Sequence, residues 1–137
     1  MSSPLRVEAI DHIVINVGDV EVSAAWYQRA LGMTREEFSR EREAPRTALR
    51  FGAQKINLRP VSATQRDWFT AAAASAGTQD LCFLTAASPP AVVAHLQQCG
   101  IAIELGPTEK TGARGTLLSV YCRDPDGNLI EIASYKV

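Results

Sequence analysis

The sequence contains no apolar run close to the roughly 20 residues that a membrane-spanning helix needs. Its opening residues, MSSPLRVEAIDH, lack the apolar core of a secretion signal. These two absences predict a cytoplasmic protein that does not engage a membrane. Its 3 cysteines, Cys82, Cys99 and Cys122, form no CxxC pair, which favours free thiols in a reducing compartment over a zinc site or disulfides.

An excess of charge of either sign is missing as well. Lys and Arg number 14 and Asp and Glu number 15, for a net charge of -1, so nothing indicates a nucleic-acid-binding face. The phosphate-binding pattern GxxxxGK[ST] is absent, and no nucleophile-elbow motif accompanies His12 or His95. A phosphate-loop enzyme and a Ser-His relay are both disfavoured.

What the chain does have is an internal repeat. The run AIDHIVINV predicts a strand, Asp19 is placed to cap a helix through VEVSAAWYQRAL, and Gly32 ends it. Three strands follow, around residues 34–39, 47–51 and 55–58. The second half repeats the plan with QDLCFLT, a helix through AVVAHLQQC capped by Ser88, and strands at 102–105, 116–123 and 128–134.

The spacing of the two halves agrees. Gly32 follows His12 by 20 positions, and Gly100 follows Asp80 by 20. The 137 residues therefore suit one α+β domain built from two βαβββ modules, residues 7–60 and 78–136, joined by a linker at 61–77. We expect the modules to form one curved mixed sheet or open barrel around a cup.

The repeat nominates four polar positions. His12 matches Asp80 near the start of each module's first strand, and Asn57 matches Glu131 in the last strands. If the strands converge, one imidazole and two carboxylates, those of His12, Asp80 and Glu131, suit a divalent ion with open positions. Asn57 is a weak ligand that could orient a water or a substrate oxygen. This would explain a carboxylate inside the apolar run LIEIA.

Each position has a structural alternative. A strand histidine is more often structural or exposed, Asp80 could cap its strand, and Glu131 could face solvent on an edge strand. Arg59 and Arg114 could bind an anionic substrate group, although both are more often surface residues. Tyr121 and Trp68 suit either the wall of the cup or the core.

The segments IDHIVINV, AWYQRALGM and YCRDPDGNLIEIASY resemble the glyoxalase/bleomycin resistance/dioxygenase superfamily, also called vicinal oxygen chelate proteins. The resemblance covers nearly the whole chain and is closest to small glyoxalase-domain-containing proteins. It implies a cup of paired βαβββ modules with metal ligands on first and last strands, which gives His12 and Glu131 as ligands and Asp80 as a third. It also implies a homodimer, and leaves open whether the cup lies within one chain or between two.

The resemblance implies a divalent metal, Mn, Fe, Ni, Co or Zn, and a small substrate with neighbouring oxygens. Asn57 stands where glyoxalases commonly have a carboxylate, so Glu131 is the remaining candidate for the catalytic base. Ring cleavage would need further histidines than His12 and His95, so lyase or isomerase chemistry is favoured. The alternative is a metal-free drug-binding protein of the bleomycin-resistance type.

Overall fold

The computed structural model describes residues 4–40 and 42–137, so the first three residues of the segment inspected for a secretion signal lie outside it. In chain order the elements are β1 (His12–Val17), α1 (Val20–Leu31), β2 (Thr34–Phe38), β3 (Arg46–Phe51), β4 (Gln54–Pro60), β5 (Asp80–Leu84), α2 (Pro89–Gln98), β6 (Leu105–Thr111), β7 (Thr116–Arg123) and β8 (Leu129–Tyr135). The predicted α+β class with two βαβββ units is confirmed. None of the described helices is long and apolar enough to cross a membrane.

The strands form two four-stranded sheets with the same plan. Sheet A has the order β1-β4-β3-β2, and sheet B has the order β5-β8-β7-β6. In each sheet the first strand of the module runs parallel to the last, and the other pairs are antiparallel. Both sheets are open, so each ends in two edge strands.

The helix boundaries follow from local capping. The Asp19 carboxylate accepts a hydrogen bond from the backbone N–H of Val22 at 3.0 Å, and the Ser88 hydroxyl accepts one from Ala91 at 3.3 Å. Gly32 ends α1 in the left-handed conformation at φ 65, where a side chain would be strained. The helix starts predicted at Asp19 and Ser88 are confirmed.

One local prediction is wrong. The strand predicted at 102–105 is displaced, because β6 occupies Leu105–Thr111. On α1, Trp26 and Ala30 are buried, whereas Val22 is 53% exposed. Each step of four residues rotates the position around a helix by about 40°, so Val22 lies at the edge of the buried stripe.

One core joins the two modules. The cluster of buried apolar side chains draws on α1, α2 and both sheets. Phe51 of β3 meets Phe83 of β5 edge to face, with ring centroids 5.4 Å apart. The helices also touch, because His95 Nε2 lies 2.9 Å from the carbonyl oxygen of Ala30. The modules are therefore packed side by side.

The turn between β7 and β8 ties the modules together through Asp124. This carboxylate, 5% exposed, accepts the Tyr27 hydroxyl at 2.6 Å and the Asn128 side-chain amide at 2.7 Å. It also accepts the backbone N–H groups of Asp126 and Asn128, both at 2.9 Å. Burial and the hydrogen bond to Asp124 raise the pKa of Tyr27 above its usual range, so the phenol remains a donor.

Neighbouring residues extend this connection. Asp126 Oδ1 accepts the backbone N–H of Gly18 at 3.0 Å, and Asn128 Oδ1 accepts the N–H of Gln79 at 2.8 Å. Gly77 closes the linker at φ 79, and a Cβ there would lie 2.4 Å from the Asp126 carbonyl oxygen. The turn therefore contacts the first module, the linker and the start of β5.

Tyr27→Phe should lower the free energy of unfolding by about 1–3 kcal/mol, because it removes a donor from a buried carboxylate. Urea unfolding followed by circular dichroism measures the change. Tyr135→Phe is the matched control: its hydroxyl accepts an exposed N–H of Arg114 at 3.1 Å, so the effect should stay below about 0.5 kcal/mol. Equal losses in the two variants would contradict the connecting role of Asp124.

Candidate functional site

Strand alternation gives each sheet a core-facing side and an opposite side, here called polar face A and polar face B. On β1 and β4 the pairs His12–Lys55, Val14–Asn57 and Asn16–Arg59 lie on polar face A. On sheet B, Cys82, Glu131 and Tyr121 lie side by side on polar face B, with Asp80 two residues before Cys82.

The repeat that the sequence indicated is visible in the register. Asn57 lies between Val14 and Ala48, and Glu131 lies between Cys82 and Tyr121. His12 precedes Val14 by two residues on β1, as Asp80 precedes Cys82 on β5. The four nominated positions therefore occupy equivalent places in their modules.

Glu131 is a half-buried carboxylate with neutral neighbours. The Ser119 hydroxyl donates to its Oε2 at 2.6 Å. Burial and the nearby Glu131 charge raise the pKa of the Cys82 thiol to about 11 and that of Tyr121 to about 12. The ion pairs among residues 4–40 and 42–137 do not include Glu131. Its strand neighbours Cys82 and Tyr121 thus stay uncharged, and Lys110, which lines the open space beside it, forms no ion pair with it among the described residues.

Asp80 lies near Glu131. It is exposed at the start of β5, and a hollow of about 370 Å³ is lined by Asp80, Tyr121 and Glu131 together with Lys110 and Arg123. A second hollow of about 460 Å³ on the other side of Glu131 reaches Lys110 and Tyr135. Polar face B thus presents two carboxylates to open space.

His12 is exposed at the start of β1, and a neighbouring carboxylate orients it. Its Nδ1 lies 2.8 Å from Asp11 Oδ1, and this contact lowers the pKa of Asp11. In a neutral imidazole whose Nδ1–H donates to this carboxylate, the other ring nitrogen, Nε2, has a lone pair. A carboxylate behind a histidine is the usual support for an imidazole that binds a metal through its second nitrogen.

Asn57 carries a polar atom with no partner. The side chain is 6% exposed, and its Oδ1 makes no hydrogen bond to the described part of the chain. A buried amide oxygen left unpaired costs about 1–3 kcal/mol, so its retention favours a role towards a group that binds there. This orphan oxygen lies at the position equivalent to Glu131.

Arg59 is held by neutral protein oxygens. It is 1% exposed, and its guanidinium donates to Asn16 Oδ1 at 2.7 Å, to the Ala63 carbonyl at 2.7 Å and to the Trp68 carbonyl at 3.1 Å. It therefore fastens the linker to sheet A. A direct contact between Arg59 and an anionic substrate stays a prediction.

The structure does not bring all nominated residues together within one chain. Among residues 4–40 and 42–137, no group of three or more His, Cys, Asp and Glu side chains is placed to hold a metal ion. Asp80, Tyr121 and Glu131 share polar face B, whereas His12 and Asn57 lie on polar face A. Arg114 lies in the β6–β7 turn, where its guanidinium stacks 4.6 Å from the centre of the Tyr135 ring.

Three supporting residues were missed from the sequence. Ser119 and Tyr121 are two positions apart on β7 and so share one face of the strand. The strand period of two would therefore have placed Ser119 on the same face as Glu131. Asp11 directly precedes His12, which could have suggested its orienting role. Asn16 carried no such signal, because its partner Arg59 is 43 positions away.

A family model described as the Glyoxalase/Bleomycin resistance protein/Dioxygenase superfamily matches residues 9–132. The chain belongs to this superfamily. It is 42% identical to Virulence protein STM3117 of Salmonella typhimurium over 98% of this chain and 89% of that protein. An integron cassette protein of V. cholerae, 37% identical, superposes with a TM-score of 0.89 over 96% of this chain and 98% of that one.

More distant structures share the fold alone. A lactoylglutathione lyase from Agrobacterium tumefaciens, 19% identical, has a TM-score of 0.70 and covers 94% of this chain and 95% of its own. TnmS3, an antibiotic binding protein from Streptomyces, is 16% identical with a TM-score of 0.72, covering 96% and 99%. The same architecture thus carries an enzyme in one protein and a binding site in another.

Arg59→Lys should lower the free energy of unfolding by about 2–4 kcal/mol, because an ammonium cannot reach three acceptors in different directions. The near-ultraviolet circular dichroism of Trp68 should weaken as the linker loosens. Arg50→Lys is the control, since exposed Arg50 pairs with Glu36 at 2.6 Å on the surface of the same sheet. A loss no larger than that of Arg50→Lys would contradict the fastening role.

Proposed function

We propose that the chain is a divalent-metal-dependent enzyme of the lyase or isomerase type, acting on a small substrate with two neighbouring oxygens. The observation that carries the proposal is Glu131, a half-buried carboxylate without an ion-pair partner among the described residues. A cation bound there would compensate its charge. Membership of the superfamily supports the same chemistry.

The donor set fits a divalent ion. The Nε2 of His12 and the carboxylate of Glu131 are the first two ligands, and Asp80 is available as a third. Both strong donors have the support expected of ligands, Asp11 behind His12 and Ser119 beside Glu131. When bound, the metal supplies Lewis-acid stabilisation of the charge that develops on the substrate oxygens.

The remaining steps belong to the chain itself. The Glu131 carboxylate, which Ser119 orients through Oε2, is the base that accepts a proton beside the substrate carbonyl. The orphan Oδ1 of Asn57 is an acceptor for a substrate hydroxyl, and it fixes which oxygen lies on polar face A. Tyr121, kept protonated by its raised pKa, is a hydrogen-bond donor to the end of the substrate that lies on polar face B.

We further propose that the site is completed by a second copy of the chain, so that polar face A of one protomer meets polar face B of its partner. The two faces are not joined by a hydrogen bond or ion pair between His12 or Asn57 and Asp80 or Glu131 within the described residues. Leu84 and Leu105 leave apolar surface on polar face B, 55% and 50% exposed. A homodimer would cover it.

Untagged protein should contain near-stoichiometric metal by inductively coupled plasma mass spectrometry, and His12→Ala or Glu131→Gln should lose it. Heterodimers purified from co-expression of the two variants should hold about half the wild-type metal, because one of two shared sites is then intact. No metal in wild type after reconstitution with each ion would overturn the metal proposal. Metal-free heterodimers beside loaded wild type would place His12 and Glu131 in the same chain.

Asp11→Asn should weaken metal binding about 10-fold or more, because the amide no longer stabilises the ligating form of His12. Competition with a chromogenic chelator gives the affinity. Glu8→Gln removes an equal charge three residues earlier and should leave the affinity unchanged. A similar loss in both variants would indicate a general charge effect.

A metal-free binding protein is the second candidate. Asn57 in place of a carboxylate and the apolar residues Leu84 and Leu105 on polar face B are the observations that favour it. In that case the wild-type chain takes up no metal, and a hydrophobic ligand protects it against heat without chemical change.

A further inference from the structure

A cavity of about 530 Å³ lies at the end of sheet A remote from His12. One wall is the segment 42–46 that leads into β3, and the other is the linker around residues 63–68. Leu58 and Pro60 of β4 and Val20 of α1 form the floor. On β1 and β4, His12 pairs with Lys55, five residues and about 17 Å from Pro60, so this cavity is separate from the proposed metal site.

Three arginines line the cavity: Arg42, Arg46 and Arg66. None of them takes part in an ion pair within residues 4–40 and 42–137. Glu43 and Asp67 also line it, which leaves one positive charge in excess. Arg42 and Arg66 are exposed and Arg46 is half-buried, and guanidinium groups are the usual means of binding carboxylate and phosphate oxygens.

The linker wall is built to a fixed geometry. Arg59 holds it from below through the carbonyls of Ala63 and Trp68, and the Thr64 hydroxyl accepts the N–H of Asp67 at 3.0 Å. Trp68 is 8% exposed, and Arg46 stacks on its ring at 4.1 Å. The wall is therefore in place before any ligand arrives.

Two arginines of the opposite wall, Arg46 and Arg42, have particular contacts or conformations. Arg46 donates one Nη2 bond to the Asp67 carbonyl at 3.1 Å, which spans the two walls and leaves its other N–H groups available. Arg42 is the one described non-glycine residue with positive φ, at 68. Arg42 lies in a turn, where this conformation is ordinarily found, and the turn directs the chain along the rim of the cavity.

We propose that this cavity is a second ligand site, which binds a small molecule through a carboxylate or phosphate group. Arg46 and Arg66 hold the oxyanion, and Arg42 approaches it from the entrance. The apolar part of the ligand packs on Leu58, Pro60 and the Trp68 side chain. The site does not depend on a metal or on a second copy of the chain, so it stands apart from the function proposed above.

Isothermal titration calorimetry of the chelator-treated 137-residue chain tests the site at constant ionic strength. The probes are inorganic phosphate, phenyl phosphate and benzoate, with sodium chloride as the reference anion. At least one probe should bind with Kd of about 1 mM or tighter, and Arg46→Gln and Arg66→Gln should each weaken it about 10-fold or more. A preference for phenyl phosphate or for benzoate identifies the head group.

Arg40→Gln is the matched control, because Arg40 is an exposed arginine two residues from Arg42 that does not line the cavity. It should bind the probes like wild type, and thermal melts of all variants check that each is folded. The proposal is overturned if no probe binds at about 10 mM, or if Arg40→Gln loses as much affinity as Arg46→Gln. Binding that His12→Ala abolishes and Arg66→Gln retains would also overturn it.

Discussion

The hydrogen bond from Tyr27 to Asp124 is the constraint on which the arrangement of this chain depends. It links α1 of the first module to the β7–β8 hairpin of the second, and both side chains are buried. The same carboxylate accepts the backbone N–H of Asn128 in the turn, and the Asn128 side chain in turn accepts the N–H of Gln79, next to the start of β5. This buried carboxylate and the shared apolar core together hold the relative position of the two sheets, and so of their polar faces.

The two polar faces carry unlike groups at equivalent positions. On polar face A the neutral Asn57 lies near Lys55 and the buried Arg59, whereas polar face B has Asp80 and Glu131, with Lys110 on the neighbouring strand β6. Among the described residues, His12 and Asn57 form no hydrogen bond or ion pair with Asp80 or Glu131. Complementary charged groups on two surfaces favour their association, and they also favour the capture of an ion between them.

The sequence was sufficient for the fold and for the equivalent strand positions of the nominated residues in the two modules, whereas their roles as site residues stay predictions. Capping at Asp19 and Ser88, glycine stops and the equal spacing of two halves are local signals, and the structure bears them out. Strand β6 could not be predicted from GPTEKT, because its pairing with β7 and not its composition makes it a strand. The burial of Arg59 and its bond to Asn16 depend on contacts distant in sequence, which periodicity does not report.

The repeat in the register has a consequence for selectivity. Two identical modules could only place like residues opposite each other, so a substrate would meet the same groups whichever way round it entered. With both modules in one chain, the twin positions carry His12 and Asp80, and Asn57 and Glu131. The two residues of each equivalent pair can be substituted independently. A pocket formed by all four residues therefore has two chemically different ends, and it can distinguish the two orientations of a nearly symmetrical molecule.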